Sequence, residues 1–287
     1  MTRSVSVGLG VGANSDGATP SSTELLFSGT AGPRVLLLHP FLMSKEVWEP
    51  VVNNLALDHK VVALTLPGHW GGPVMPAGRL TPAVLADHVE EVMDLLGWDD
   101  FHVVGNSLGG WVAYELAKRG RCLSVIAFAP AGGWSRRWST RLRLIVKFLF
   151  FGLVGAVGVV IGPLLVRSRR LTAAAFRPMA PSIAKATDSQ LRAVYAAAGH
   201  CRAYFPLLAF GIRGGVAHRT RDIDCPVSLY VSDADRVLDA GDFMRYERGG
   251  PNVSIRHLEG VGHVPMLQDP ERVARIIRAD VADRQLE

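Results

Sequence analysis

The sequence predicts an α/β fold, a mostly parallel sheet flanked by helices, with a helical segment inserted in its second half. Three observations predict it. Short, predominantly apolar runs of strand length recur along the chain, segments of helical periodicity separate them, and one such run passes through a glycine-rich turn straight into a helix. Near-continuous apolar runs suit strands buried on both faces, and strand–helix alternation is how parallel neighbours connect. With 287 residues, 48% hydrophobic and 20% charged, the chain has ample material for a core, which excludes disordered, collagen-like and coiled-coil classes.

The elements follow in order. Residues 1–21 read as a flexible lead-in: Gly8, Gly10 and Ala13 match a loose dinucleotide fingerprint, but the strand before them is too short and Asn14-Ser15-Asp16-Gly17 stands where a helix should begin. No apolar stretch of signal-peptide length occurs there, so a cytoplasmic location is expected. Arg34 to His39, Val61 to Leu66, Phe101 to Val104, Ser124 to Ala129 and Val227 to Val231 are the buried strand candidates, and Val253 to Leu258 is strand-like. Thr81 to Leu96 is the clearest helix, with Thr81 as N-cap, Pro82 in the first turn, and Gly97 as the stop. Further helices are expected over Trp111 to Lys118, Asp188 to Ala198 and Pro270 to Val281. This assigns the core to 22–131 and 225–287 and the helical insertion to 132–224. Cys122, Cys201 and Cys225 are odd in number and lack ligand spacing, which disfavours a disulfide scaffold or a zinc module.

The chemistry concentrates after two strands. Phe101-His102-Val103-Val104 runs into Gly105-Asn106-Ser107-Leu108-Gly109-Gly110 and then a helix, which is the context a Gly-x-Ser-x-Gly elbow requires. Glycines beside the serine let backbones pack closely while its hydroxyl stands exposed. His263, in Gly260-Val261-Gly262-His263-Val264-Pro265 after the last strand, is the candidate base, since imidazole exchanges a proton near neutral pH. Asp235, in Ser232-Asp233-Ala234-Asp235, follows the carboxyl end of its strand, with Asp233 as competitor.

These motifs, in the order serine, acid, histidine, resemble the α/β-hydrolase family from about Ser22 onward, in its serine esterase and lipase-like branch. The resemblance implies nucleophile Ser107, acid Asp235 and base His263, with an oxyanion hole from the backbone N–H groups of Leu108 and Phe41. His39-Pro40-Phe41 resembles the family's His-Gly-x loop with proline in place of glycine. Pro40 has no N–H, but the donor would be the next residue. His39, Trp70, Trp134 and Val264 are pocket candidates, and His69 reads as structural. No metal or organic cofactor is implied. Serine rather than aspartate at the elbow argues against the haloalkane dehalogenase and epoxide hydrolase branches, which the resemblance implies work through an ester on aspartate.

The insertion is chemically unlike the rest. From Leu116 to Thr187 there are thirteen basic residues and no acid, leaving 18 basic against 26 acidic elsewhere, a net of −8 behind an overall +5. Phe148 to Val166 carries no charge, so by length it qualifies as a transmembrane candidate. One crossing would put Ser107 on one side and Asp235 and His263 on the other. Pro163 and four glycines also argue against a continuous helix, so several lid helices are expected. Segment 141–170 is read as a pocket lid, a homodimer face or a peripheral membrane contact, and the interleaved aliphatics disfavour a nucleic-acid partner. The expected activity is hydrolysis of a small apolar ester, lactone or thioester. The alternatives are carbon–carbon hydrolysis of a vinylogous diketone, for which Val264 replaces a usual tryptophan, and a non-catalytic binding protein on the same scaffold.

Overall fold

A computed structural model describes residues 3–8, 22–213, 223–247 and 250–283, organised around one eight-stranded sheet. Its strands are β1 (Arg3–Gly8), β2 (Ser22–Ser28), β3 (Arg34–Leu38), β4 (Lys60–Leu64), β5 (Phe101–Asn106), β6 (Cys122–Phe128), β7 (Val227–Ser232) and β8 (Val253–Leu258). They lie in the order β1-β2-β4-β3-β5-β6-β7-β8. β2 pairs antiparallel with both β1 and β4, and every other neighbouring pair is parallel. The chain steps outward from β3 to β4 and then back across to β5, so the order reverses between β3 and β5. Loops leaving the carboxyl ends of those two strands diverge there and open the crevice where open α/β sheets bind ligands.

Helices cover both faces. They are α1 (Glu49–Leu55), α2 (Pro82–Leu95), α3 (Leu108–Ala117), α4 (Trp138–Leu165), α5 (Arg169–Phe176), α6 (Asp188–Gly199), α7 (Tyr204–Ile212), α8 (Met244–Glu247), α9 (Pro265–Gln268) and α10 (Pro270–Asp283). Leu36 and Leu38 of β3 join Leu85, Val89 and Val112 of α2 and α3 in one core. Val35 and Leu37 point the other way, to Val51 and Leu55 of α1 and Ile277 of α10. Both faces of the strand are therefore buried, which is why its sequence does not alternate. Thr81 caps α2, its hydroxyl accepting from the Val84 N–H at 3.2 Å, and Gly97 at φ 65° follows the helix.

Two expectations are corrected. Residues 3–8 are an edge strand rather than part of a flexible lead-in: they pair with β2 from Arg3 opposite Phe27 to Gly8 opposite Ser22. Gly10 and Ala13 of the loose fingerprint lie outside the described residues. The apolar stretch is also one unbroken helix, α4, not several. Its glycines are contact points: a Cβ on Gly152 would stand 2.3 Å from the Tyr204 hydroxyl, and one on Gly162 would stand 2.7 Å from Tyr195. Close packing against α6 and α7 outweighs the low helix propensity of glycine.

Several buried or half-buried histidines tie stability to pH. Burial lowers His69, His88 and His102 to about 4, and the His102 Nδ1 lies 2.8 Å from the Ser124 hydroxyl across β5 and β6. A folded-state value below the unfolded one means the unfolded chain binds protons more readily. Stability is then fully present above about pH 6.5 and is lost as pH falls towards 4. The urea midpoint is expected to drop steadily across that window, and a pH-independent midpoint would contradict the burial of these rings.

Candidate active site

Ser107 sits between β5 and α3 at φ 54°, ψ −113°, in a region that side chains other than glycine rarely enter. Such a conformation costs on the order of 1–3 kcal/mol and persists only when its surroundings enforce it. The enforcement is visible. The Ser107 N–H donates to the Phe128 carbonyl at 3.0 Å, and the Ser107 carbonyl accepts from the N–H groups of Trp111 at 3.1 Å and Ala131 at 2.9 Å. The three glycines around the serine are all required by proximity. A Cβ on Gly105 would come within 2.3 Å of the Gly109 backbone, one on Gly109 within 2.2 Å of the Leu38 carbonyl oxygen, and one on Gly110 within 2.8 Å of the Pro130 side chain.

Asp235 and His263 arrive on the loops that follow β7 and β8, two strands that are parallel neighbours. The His263 Nδ1 lies 2.7 Å from the Asp235 Oδ2, with both side chains almost wholly buried. The other carboxylate oxygen, Oδ1, accepts from the N–H groups of Val237 at 2.7 Å and Leu238 at 2.9 Å, so the carboxylate is held at both oxygens. Asp233, the competing acid, is exposed. A side chain that sequence reasoning passed over joins the halves of the site: the Asn106 Nδ2 donates at 2.9 Å to both the Phe128 carbonyl and the His263 carbonyl. A polar residue ending a wholly buried strand, directly before the elbow serine, was the signal available for it.

The loop after β3 turns at Pro40, whose carbonyl accepts from the Met43 N–H at 3.3 Å, with Leu42 at φ 63°. Among the described residues neither the Phe41 N–H nor the Leu108 N–H has a protein acceptor, and Leu108 opens α3, where first-turn donors have no partner inside the helix. Phe41 is fixed by its ring, stacked on Tyr204 at 5.9 Å and edge-on to Phe148 at 5.8 Å.

Two apolar cavities meet at Ser107. The first runs between α3, α4 and α7, lined by Leu108, Trp111, Trp134, Leu144, Phe148 and Leu207, with Arg141 as its one charged wall group. The Nε of Arg141 is buried with no partner among the described residues. The second reaches His263 and Val264 past Phe151, Met179, Val194 and Tyr195. Phe41, Phe148 and Ser107 border both. Of the four predicted pocket residues, Trp134 and Val264 line these cavities and two do not. His39 is fully buried beneath the loop: its Nε2 accepts from the Leu66 N–H at 2.9 Å, so its Nδ1 carries the proton and donates to the Pro40 carbonyl at 2.8 Å. Burial, then the neighbouring His69, hold His39 well below the ordinary histidine value, so it is a neutral spacer that shapes the loop. Trp70 is 37% exposed and lines neither cavity.

A sequence profile described as the alpha/beta hydrolase family matches residues 35–276. An epoxide hydrolase, EphH, of Mycobacterium tuberculosis is 35% identical over 208 residues, 71% of this chain and 96% of that protein. Human monoacylglycerol lipase ABHD6 is 22% identical over 88% of this chain and 76% of its own. Among solved structures, an esterase from Thermogutta terrifontis superposes with a TM-score of 0.69 at 20% identity, covering 98% of this chain and 99% of that one. The chain belongs to the alpha/beta hydrolase family and is a hydrolase.

The glycine contacts predict unequal tolerance. Gly109→Ala is expected to destabilise by about 3 kcal/mol, because the backbone of β3 must move. Gly211→Ala, with open space around its Cβ position in α7, is expected to be neutral or to stabilise by up to about 1 kcal/mol. Urea unfolding of both variants checks the pair, and equal midpoints would contradict it.

Proposed function

We propose that this hydrolase is a serine esterase acting on a carboxylic ester, lactone or thioester with an apolar acyl or ring group, through an acyl-enzyme. The observation that carries the reading is the Asp235–His263 pair, whose histidine lines the same cavity as the strained turn at Ser107. Ser107 Oγ attacks the carbonyl carbon while the His263 Nε2 takes its proton. Asp235 holds the imidazole in the tautomer with hydrogen on Nδ1 and stabilises the imidazolium that forms. In this reading the unengaged N–H groups of Phe41 and Leu108 receive the oxyanion. His263 then gives its proton to the departing alcohol, and water, activated by the same imidazole, releases the acid and restores Ser107.

The two cavities suit this chemistry. A nucleophile at the junction of two apolar chambers fits an ester with one arm in each, the acyl group in one and the alcohol in the other. Arg141 offers a donor for a polar end in the first chamber. The name of the human lipase relative favours a fatty ester. The name of the mycobacterial relative favours a second reading, epoxide opening. Attack by a serine hydroxyl on an epoxide carbon would leave an ether, which water does not cleave under enzymic conditions, whereas a carboxylate nucleophile leaves a hydrolysable ester. Serine at the elbow therefore supports the acyl route.

Kinetics on a nitrophenyl butyrate and on styrene oxide separate the readings. Wild type is expected to hydrolyse the ester and leave the epoxide. Ser107→Ala is expected to lower kcat/KM by roughly 10⁴-fold or more, and Asp235→Asn by roughly 10³–10⁴-fold, with unfolding midpoints near wild type. Epoxide turnover that survives in Ser107→Ala would overturn the esterase reading.

A further inference from the structure

From Phe148 onward the long helix α4 is apolar all round, and only one of its faces is covered. Leu144, Ile145, Phe148, Phe151 and Gly155 look inward onto the two cavities. On the other side Val146, Phe150, Leu153, Val157, Val160 and Leu164, three or four residues apart, form a continuous stripe. Leu153 is 64% exposed, Val160 75% and Leu164 62%. From Val146 to Leu164 the stripe runs about 27 Å along the helix, unlike the scattered apolar side chains of an ordinary surface. An apolar face of that extent requires a cover.

Charge identifies the cover. Arg143 and Lys147, on the flank of the helix, are engaged by Asp239, and Arg143 also by Asp242. Arg136 and Arg137 before the helix, and Arg167 and Arg170 after it, are exposed and make no ion pair with the described residues. The stripe is thus apolar in its length and cationic at both ends, and no carboxylate occurs anywhere between Leu116 and Thr187 to offset it. A second copy of the chain laid against this face would bring arginines onto arginines. An anionic bilayer supplies both needs, acyl chains beneath the stripe and phosphates at its ends. Trp138, 66% exposed at the first turn, suits the headgroup level.

We propose that the outward face of α4 lies in the surface of an anionic lipid bilayer, parallel to its plane, while its inward face roofs the active-site cavities. The helix lies on the bilayer and does not span it. A crossing would withdraw from the cavities the α4 side chains that line them. Membrane residence is a property beyond ester hydrolysis, and it can be measured without catalysis.

The test is sedimentation of the purified full chain with vesicles of phosphatidylcholine alone and of phosphatidylcholine mixed with phosphatidylglycerol, with far-ultraviolet circular dichroism as the check on folding. Wild type is expected to sediment with the mixed vesicles, less so at high salt, and weakly with phosphatidylcholine alone. Leu153→Glu combined with Val160→Glu should lower partitioning at least about tenfold. Neutralising Arg136, Arg137 and Arg170 to glutamine should lower it by roughly fivefold per residue on the mixed vesicles only. Neither set lines a cavity, so hydrolysis of a soluble nitrophenyl ester should match wild type in both. If that ester is not turned over even by wild type, the esterase reading fails while the vesicle result still stands. Failure of wild type to bind the mixed vesicles would overturn the proposal. So would unchanged binding by the well-folded double glutamate variant, or a concentration-dependent dimer that the same substitutions abolish and vesicles do not compete away.

Discussion

Everything at the centre of this molecule hangs on the contact between Gly109 and the carbonyl of Leu38, where the start of α3 touches the end of β3 with no room for a Cβ. Because the two backbones meet there, Ser107 can hold its strained turn, and the loop Pro40 to Met43 leaves β3 within reach of the amino end of α3. The same approach therefore sets the serine and brings the loop that carries Phe41 close to Leu108, the first residue of α3. Asn106 extends the constraint outward: one amide reaches β6 through Phe128 and the histidine loop through the carbonyl of His263. The strain at Ser107 is thus held by backbone contacts drawn from three strands, which is how a turn costing on the order of 1–3 kcal/mol survives in a marginally stable fold.

The helices between β6 and β7 work on a different principle. α4 has almost no polar face, so its position cannot be explained by ordinary amphipathic packing. It is held by close approach, with glycines against Tyr195 and Tyr204, by the Tyr204 hydroxyl donating to the Phe148 carbonyl at 2.9 Å, and by Arg143 and Lys147 reaching carboxylates beyond β7. Phe148 then becomes the shared wall of both cavities and packs on Phe41, so the helix roof and the loop after β3 are mechanically one unit.

How much of this could be read beforehand depended on whether the cause was local. Buried strands declare themselves by runs with few polar residues, and the turn at Ser107 by glycines whose need is set within five positions. Asp235 and His263 are singled out by their loops after β7 and β8 and by the family resemblance, and the structure brings those two together at 2.7 Å. The edge strand β1 could not be read beforehand, because Arg3–Gly8 is made a strand by the partner it finds in β2, some twenty residues on. The continuity of α4 was hidden for the same reason: its glycines read as helix breakers until Tyr195 and Tyr204 are seen against them. His39 and Trp70 were placed at the pocket by their loops alone. The hydrogen bond from the Leu66 N–H turns His39 inward instead, and solvent takes Trp70.

The central claim is that the nucleophile is the hydroxyl of Ser107. Peptide mapping after reaction with a fluorophosphonate tests it most directly, since the reagent reports the atom that attacks rather than the rate that follows. The account predicts one adduct per chain, on the peptide holding Ser107, absent from Ser107→Ala and slow to form in His263→Ala. An unlabelled Ser107 in an enzyme that still turns over its ester, or turnover in ¹⁸O-water that places the heavy oxygen in an aspartate side chain, would contradict it.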